Sequence, residues 1–190
     1  MRRIFIDTEW TAVPWDGASE LLWIGLADEQ GQVWCALADD ARVDPAHSDY
    51  VDALLRLATP DLPRLPRRDI AAGVQAFCGA VDEFWAWIPT LDSFAAWSRL
   101  GDAAPAVYAR CRDIDLQMLR ALVTPWPAAW PDRVHDLNAA AVAAGVALPP
   151  RAANHLHPRV HSAWNQALFE RIRGAGGAGG AGGAGGAERS

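Results

Sequence analysis

Short apolar runs alternate with amphipathic segments along most of this chain, and they predict an α/β domain. Ile4-Phe5-Ile6 is a β-type run that ends at Asp7. Glu20–Leu26 and Gln32–Ala36 read as second and third strands. Asp28-Glu29-Gln30-Gly31 between them has the chemistry of a hairpin turn, so three antiparallel strands open the domain. Ser48–Leu57 reads as a helix with Ser48 at its start, and Pro60–Pro66 as a loop. Ile70, Val74 and Phe77 have helical spacing within Arg68–Ala80. Phe84–Ile88 is an aromatic strand candidate closed by Pro89, followed by a helix over Leu91–Leu100. Val107–Cys111 reads as a short strand, Ile114–Leu122 as a helix, and Asp136–Ala144 as an Ala-rich helix stopped by Gly145. Val160–Ile172 is the last helix. This order predicts a mixed sheet flanked by helices.

From Gly174 to Ala187 the chain contains only Gly and Ala. Such a stretch has little side-chain surface to bury and high backbone entropy, so the expected division is a domain over 1–173 and a disordered tail over 174–190. Composition narrows the function classes. The net charge of −6 and pI of about 5.3 lack the basic footprint of a tight non-specific nucleic-acid binder. An enzyme that releases its product can still work on nucleic acid through metal ions and a few local Arg residues. Lys is absent, so all 17 basic residues are Arg. The three cysteines, Cys35, Cys78 and Cys111, have no metal-type spacing and form no complete disulfide framework. Reduced thiols, no apolar run of membrane-spanning length and an early charged N-terminus lead to the expectation of a cytoplasmic protein.

Candidate chemistry begins at Asp7-Thr8-Glu9. Alternation along a strand puts Asp7 and Glu9 on one face. Two adjacent carboxylates repel unless a cation lies between them, and hard oxygen ligands of this kind suit Mg²⁺ or Mn²⁺. Solvated acids on an exposed strand would give the same pattern.

Ile6-Asp7-Thr8-Glu9-Trp10 resembles the first motif of the DEDD 3′-5′ exonuclease superfamily, whose fold is RNase H-like. Phe84–Asp92 resembles its second motif, a strand ending before an Asp at a helix start. Arg110-Cys111-Arg112-Asp113-Ile114-Asp115 resembles the Arg-Asp-Ile segment downstream of it. His161-Ser162-Ala163-Trp164 resembles the opening of the third motif of the DEDDh subgroup. The pattern spans most of residues 3 to 172 and is most similar to the small bacterial 3′-5′ exoribonucleases.

The resemblance implies a two-metal phosphodiester hydrolase acting on the 3′ end of single-stranded RNA or DNA. Asp7, Glu9 and Asp92 would hold the ions and His161 would deprotonate the attacking water. Thr8 and Trp10 would contact the terminal nucleotide. Gln166 stands where the third motif carries its Asp, which would weaken the metal site. Glu170 is the one acid of the last predicted helix. The second reading is an inactive relative that binds nucleic acid or a protein partner. Neither reading places the chain in a membrane, and the oligomeric state stays open, a homodimer included.

Overall fold

A computed structural model describes residues 1–12, 19–57, 61–152 and 154–178. Six strands form one mixed sheet in the order β4-β3-β2-β1-β5-β6, comprising β1 (Arg3–Trp10), β2 (Leu21–Asp28), β3 (Val33–Ala38), β4 (Arg64–Leu65), β5 (Glu83–Ala86) and β6 (Val134–Asp136). The first three form the expected antiparallel meander. β5 runs parallel to β1, β6 parallel to β5 and β4 parallel to β3. Among the described residues seven α-helices surround the sheet: α1 (Ser48–Leu57), α2 (Arg67–Cys78), α3 (Leu91–Ser98), α4 (Ala104–Cys111), α5 (Ile114–Leu122), α6 (Leu137–Ala143) and α7 (Pro158–Ala178).

Alternation along β1 divides the core. Ile4 and Ile6 pack with Ile70 and Val74 of α2 and with Leu116 and Leu119 of α5. Phe5 points the other way, into Leu137 and Ala141 of α6 and Trp164, Leu168 and Phe169 of α7. Trp23 and Leu37, farther along that same face, pack with Val51 and Leu54 of α1. Burial of a large apolar side chain contributes about 1.5–3 kcal/mol, and all of β2 is buried.

Three sequence expectations change. Val107–Cys111 is the end of a helix rather than a strand. Pro105 opens that helix, and Ala104 and Val107 pack against Phe94, with Tyr108 beside them, at the three- and four-residue spacing of a helix face. The edge strand is instead Val134–Asp136, a half-buried segment whose Asp136 caps α6 by accepting from the N–H groups of Asn138 and Ala139. The Pro-rich loop also contributes β4. The last helix continues through Ala178, so the division expected at residue 173 falls inside α7. Residues 179–190 of the expected tail lie outside the described residues. Among the described residues no helix is long and apolar enough to cross a membrane.

Candidate active site

β5 pairs with β1 only through Phe5, so the C-terminal half of β1 is open on that side. There Asp7, Thr8, Glu9 and Trp10 line a cleft of about 130 Å³, completed by Trp87, Phe94, Trp97, Tyr108, Arg112, Asp115 and His161 among others. The lining combines acids with aromatic rings.

Each residue of the Asp7-Thr8-Glu9 run is held by a different helix. On one sheet face, His161 Nδ1 of α7 lies 2.5 Å from Asp7 Oδ1. Tyr50 of α1 donates from its hydroxyl to Glu9 Oε2 at 3.3 Å. On the other face, Asp115 of α5 accepts from both the backbone N–H and the hydroxyl of Thr8, at 2.8 and 2.6 Å. Thr8 Oγ1 also accepts from the indole N–H of Trp10 at 3.0 Å, which fixes that ring at the cleft.

Gly25 makes the approach of α7 possible. It pairs with Asp7 across the β1–β2 ladder, and a Cβ there would collide with the carbonyl oxygen of Pro158 at the start of α7. Only glycine lets that helix descend onto the sheet beside Asp7. Further along α7, Asn165 is fully buried and donates to the carbonyl of Ile6 at 3.1 Å. His161 and Asn165 are four residues apart, so they share the helix face turned to β1.

The electrostatics follow from burial and like charge. Burial, then the charges of Asp7 and Asp115, hold Glu9 well above the ordinary carboxylate range. Burial and Asp7 push Asp115 up to about 7, against the lowering effect of its Thr8 hydrogen bonds. Burial is the largest effect and depresses His161, but the charge and hydrogen bond of Asp7, with the charge of Asp115, together outweigh it and the imidazole is raised. Asp7 Oδ2, His161 Nε2 and Asn165 Oδ1 are buried without hydrogen-bond partners. Unsatisfied groups of this kind are uncommon in folded proteins, and these fall on Asp7 and on the two α7 residues that face β1.

A guanidinium completes the surroundings. Arg151, in the loop before α7, lies over the rings of Trp87 and Trp164, 5.4 and 5.0 Å from their centroids. Each such contact is worth about 0.5–1 kcal/mol at an exposed position. Trp164 also donates its indole N–H to the Pro149 carbonyl at 3.2 Å, tying this loop to the helix.

The structure thus brings together five sequence-predicted residues, Asp7, Thr8, Glu9, Trp10 and His161. It does not bring Asp92 or Gln166 to the cleft lining. Asp92 is exposed in the first turn of α3, where a carboxylate favours the helix N-terminus and Thr90 provides the cap. The same helix reaches the cleft through Phe94 and Trp97 instead. Gln166 is half-buried, and the buried amide facing β1 is its neighbour Asn165. Glu170 is paired with Arg173 at 2.5 Å.

Sequence reasoning missed Asp115, Tyr50, Asn165 and Arg151. Asp115 lies in the Arg-Asp-Ile segment, and Asn165 could have been found from its four-residue spacing to His161. Tyr50 and Arg151 had no sequence signal.

No protein-family model matches this chain, and no curated protein sequence matches it. A solved structure does. The chain is similar in fold to the RNase domain of the yeast Pop2 protein. The TM-score is 0.51 at 12% identity, over 90% of this chain and 76% of that domain. The mixed sheet with helices on both faces is accordingly an α/β fold of RNase H-like type.

Among the described residues no three His, Cys, Asp or Glu side chains are gathered so as to hold a metal ion. The adjacent pair Asp7 and Glu9 nevertheless has the donor chemistry for one. Mg²⁺ commonly takes only one or two carboxylates and completes its shell with water and substrate phosphate. The unpaired Asp7 Oδ2 and the crowded charge on Glu9 are what such an ion would relieve.

Proposed function

We propose that this protein is a metal-dependent 3′-5′ exonuclease that hydrolyses phosphodiesters at the 3′ end of single-stranded RNA or DNA. The observation that carries the reading is the cleft at the open end of β1, where Asp7 and Glu9 share one face beside His161. Asp7 and Glu9 would hold Mg²⁺ or Mn²⁺, whose chemistry is to polarise the phosphodiester and lower the pKa of a bound water. Asp92 and Gln166 enter this reading through the sequence resemblance alone. His161, with Nδ1 occupied by Asp7, keeps Nε2 for a proton taken from water. Asp7's charge raises the imidazole, so neutralising that charge favours the neutral ring that a base requires. The aromatic residues of the lining, Trp10 included, offer flat surfaces for nucleobases.

The test is cleavage of 5′-labelled single-stranded oligonucleotides with Mg²⁺ or Mn²⁺. Asp7→Asn is expected to lower the rate by about 10³-fold or more, the equivalent of several kcal/mol of transition-state stabilisation. The Gln at position 166 favours a second reading, in which the protein binds a strand without cutting it. A natural protein that stays silent, with Gln166→Asp silent as well, supports that second reading. Products shortened from the 5′ end, or cleavage unaffected by Asp7→Asn, would sink the first.

A further inference from the structure

We propose that Arg151 is the phosphate-binding residue of this cleft, its guanidinium set by Trp87 and Trp164 to receive a backbone phosphate of the entering strand. This rests on the reading of the cleft as a nucleic-acid site. A polyanion approaching Asp7, Glu9 and Asp115 meets repulsion and requires a cation close to them. Arg112 lines the cleft but has a carboxylate of its own, Asp136 Oδ2, at 3.8 Å. Arg151 has no ion-pair partner among the described residues; partial burial lowers its pKa, and the charge of Asp7 works against that lowering.

The position of Arg151 is set by two indoles. Trp87 lines the cleft and packs edge-on against Trp164, with ring centroids 5.3 Å apart. Trp164 in turn lies 6.0 Å from the His161 ring. The guanidinium carbon lies over both indoles, which are nearly perpendicular to one another, and its N–H groups are the donors for a forked contact with phosphate oxygens. Arg151 is exposed and lies beside the cleft rather than in its lining, which it meets through Trp87. Lysine, a point charge without a planar face, would keep the attraction and lose the orientation.

The experiment is fluorescence anisotropy of the full chain in EDTA with a short 5′-fluorescein-labelled oligoadenylate, titrated across salt concentrations. Arg151→Gln is expected to weaken binding about tenfold and to reduce the salt slope by about 0.7, the value for one phosphate of a single strand. Arg151→Lys should keep the slope and lose part of the affinity. An oligoadenylate with uncharged methylphosphonate linkages should bind the natural protein as weakly as Arg151→Gln binds the charged strand, with no further loss in the variant. Unchanged affinity and slope in Arg151→Gln, with the natural protein binding normally, overturns the role of Arg151 and leaves the site reading intact. No binding of either strand by the natural protein overturns the role of Arg151, whose contact needs no metal, and leaves the site reading to the cleavage assay.

Discussion

The two faces of β1 at Asp7-Thr8-Glu9 are built on opposite principles. On the α5 face Thr8 and Asp115 satisfy one another: a backbone N–H, a hydroxyl and a carboxylate oxygen are joined by two short hydrogen bonds. On the α7 face Asp7 Oδ2, His161 Nε2 and Asn165 Oδ1 are buried with no partner. A satisfied polar network fixes a fold, whereas a partly satisfied one costs stability that a ligand can return. The comparison separates a residue that positions the strand from residues that await something to bind.

Removing one partner from the satisfied face should be the most damaging to stability. Asp115→Ala strands the N–H and hydroxyl of Thr8, and losing such partners costs about 2–3 kcal/mol. At this chain length that is a fall of roughly 4–12 °C in Tm. Asp7→Asn, in the chelated protein, should do the reverse. It removes a charge that raises both Glu9 and Asp115, so Tm should hold or rise even as a ligand of the proposed metal site is lost. Thermal unfolding of the two variants side by side breaks the comparison if Asp7→Asn proves the more destabilising.

The dependence on pH is the next sharpest probe. Glu9 and Asp115 are raised in the folded protein, so they hold protons that the unfolded chain releases above about pH 4. Their contribution to stability is therefore present at low pH and lost as pH rises through the folded values, about 7 for Asp115. His161 is also raised, so its contribution is complete below its unfolded value of about 6.5 and is lost above it. All three have the same sign. In EDTA, Tm should fall between pH 5 and pH 8, and Asp7→Asn should flatten that fall. A Tm that rises over this interval would show that the acids are not crowded as described.

The fold and the core of the site were legible in sequence to different degrees. The meander could be read because Ile4-Phe5-Ile6 and the segments over 20–26 and 32–36 are short apolar runs bounded by turn residues. The Asp7/Glu9 pairing followed from strand alternation alone. β6 was hidden because Val134-His135-Asp136 is half-buried and only three residues long, too short for any period. The strand expected at Val107–Cys111 failed because a β-branched residue near a cysteine says nothing about the Pro105 helix start upstream. Arg151 was illegible for another reason: its partners Trp87 and Trp164 lie far away in sequence and meet it only through packing.

The smallest expected effect concerns the one hydroxyl that supports Glu9. Tyr50 donates to Glu9 Oε2 at 3.3 Å, and this bond favours the ionised carboxylate against burial and the charges of Asp7 and Asp115. Tyr50→Phe keeps the ring in its packed position and removes only the donor. Glu9 then gains a proton more readily and competes less well for a cation. A single neutral donor to a charged acceptor contributes about 1.5 kcal/mol or more when fully aligned, and about 1 kcal/mol is reasonable for a bond of this length. Mn²⁺ affinity, followed by titration calorimetry at neutral pH, should weaken about fivefold. Raising the pH should recover part of the loss, because ionising Glu9 no longer depends on the missing hydroxyl. A purely structural role for Tyr50 would lower Tm and leave both the Mn²⁺ affinity and its pH dependence where they were. That result would detach Tyr50 from the site and leave Glu9 supported by the sheet alone.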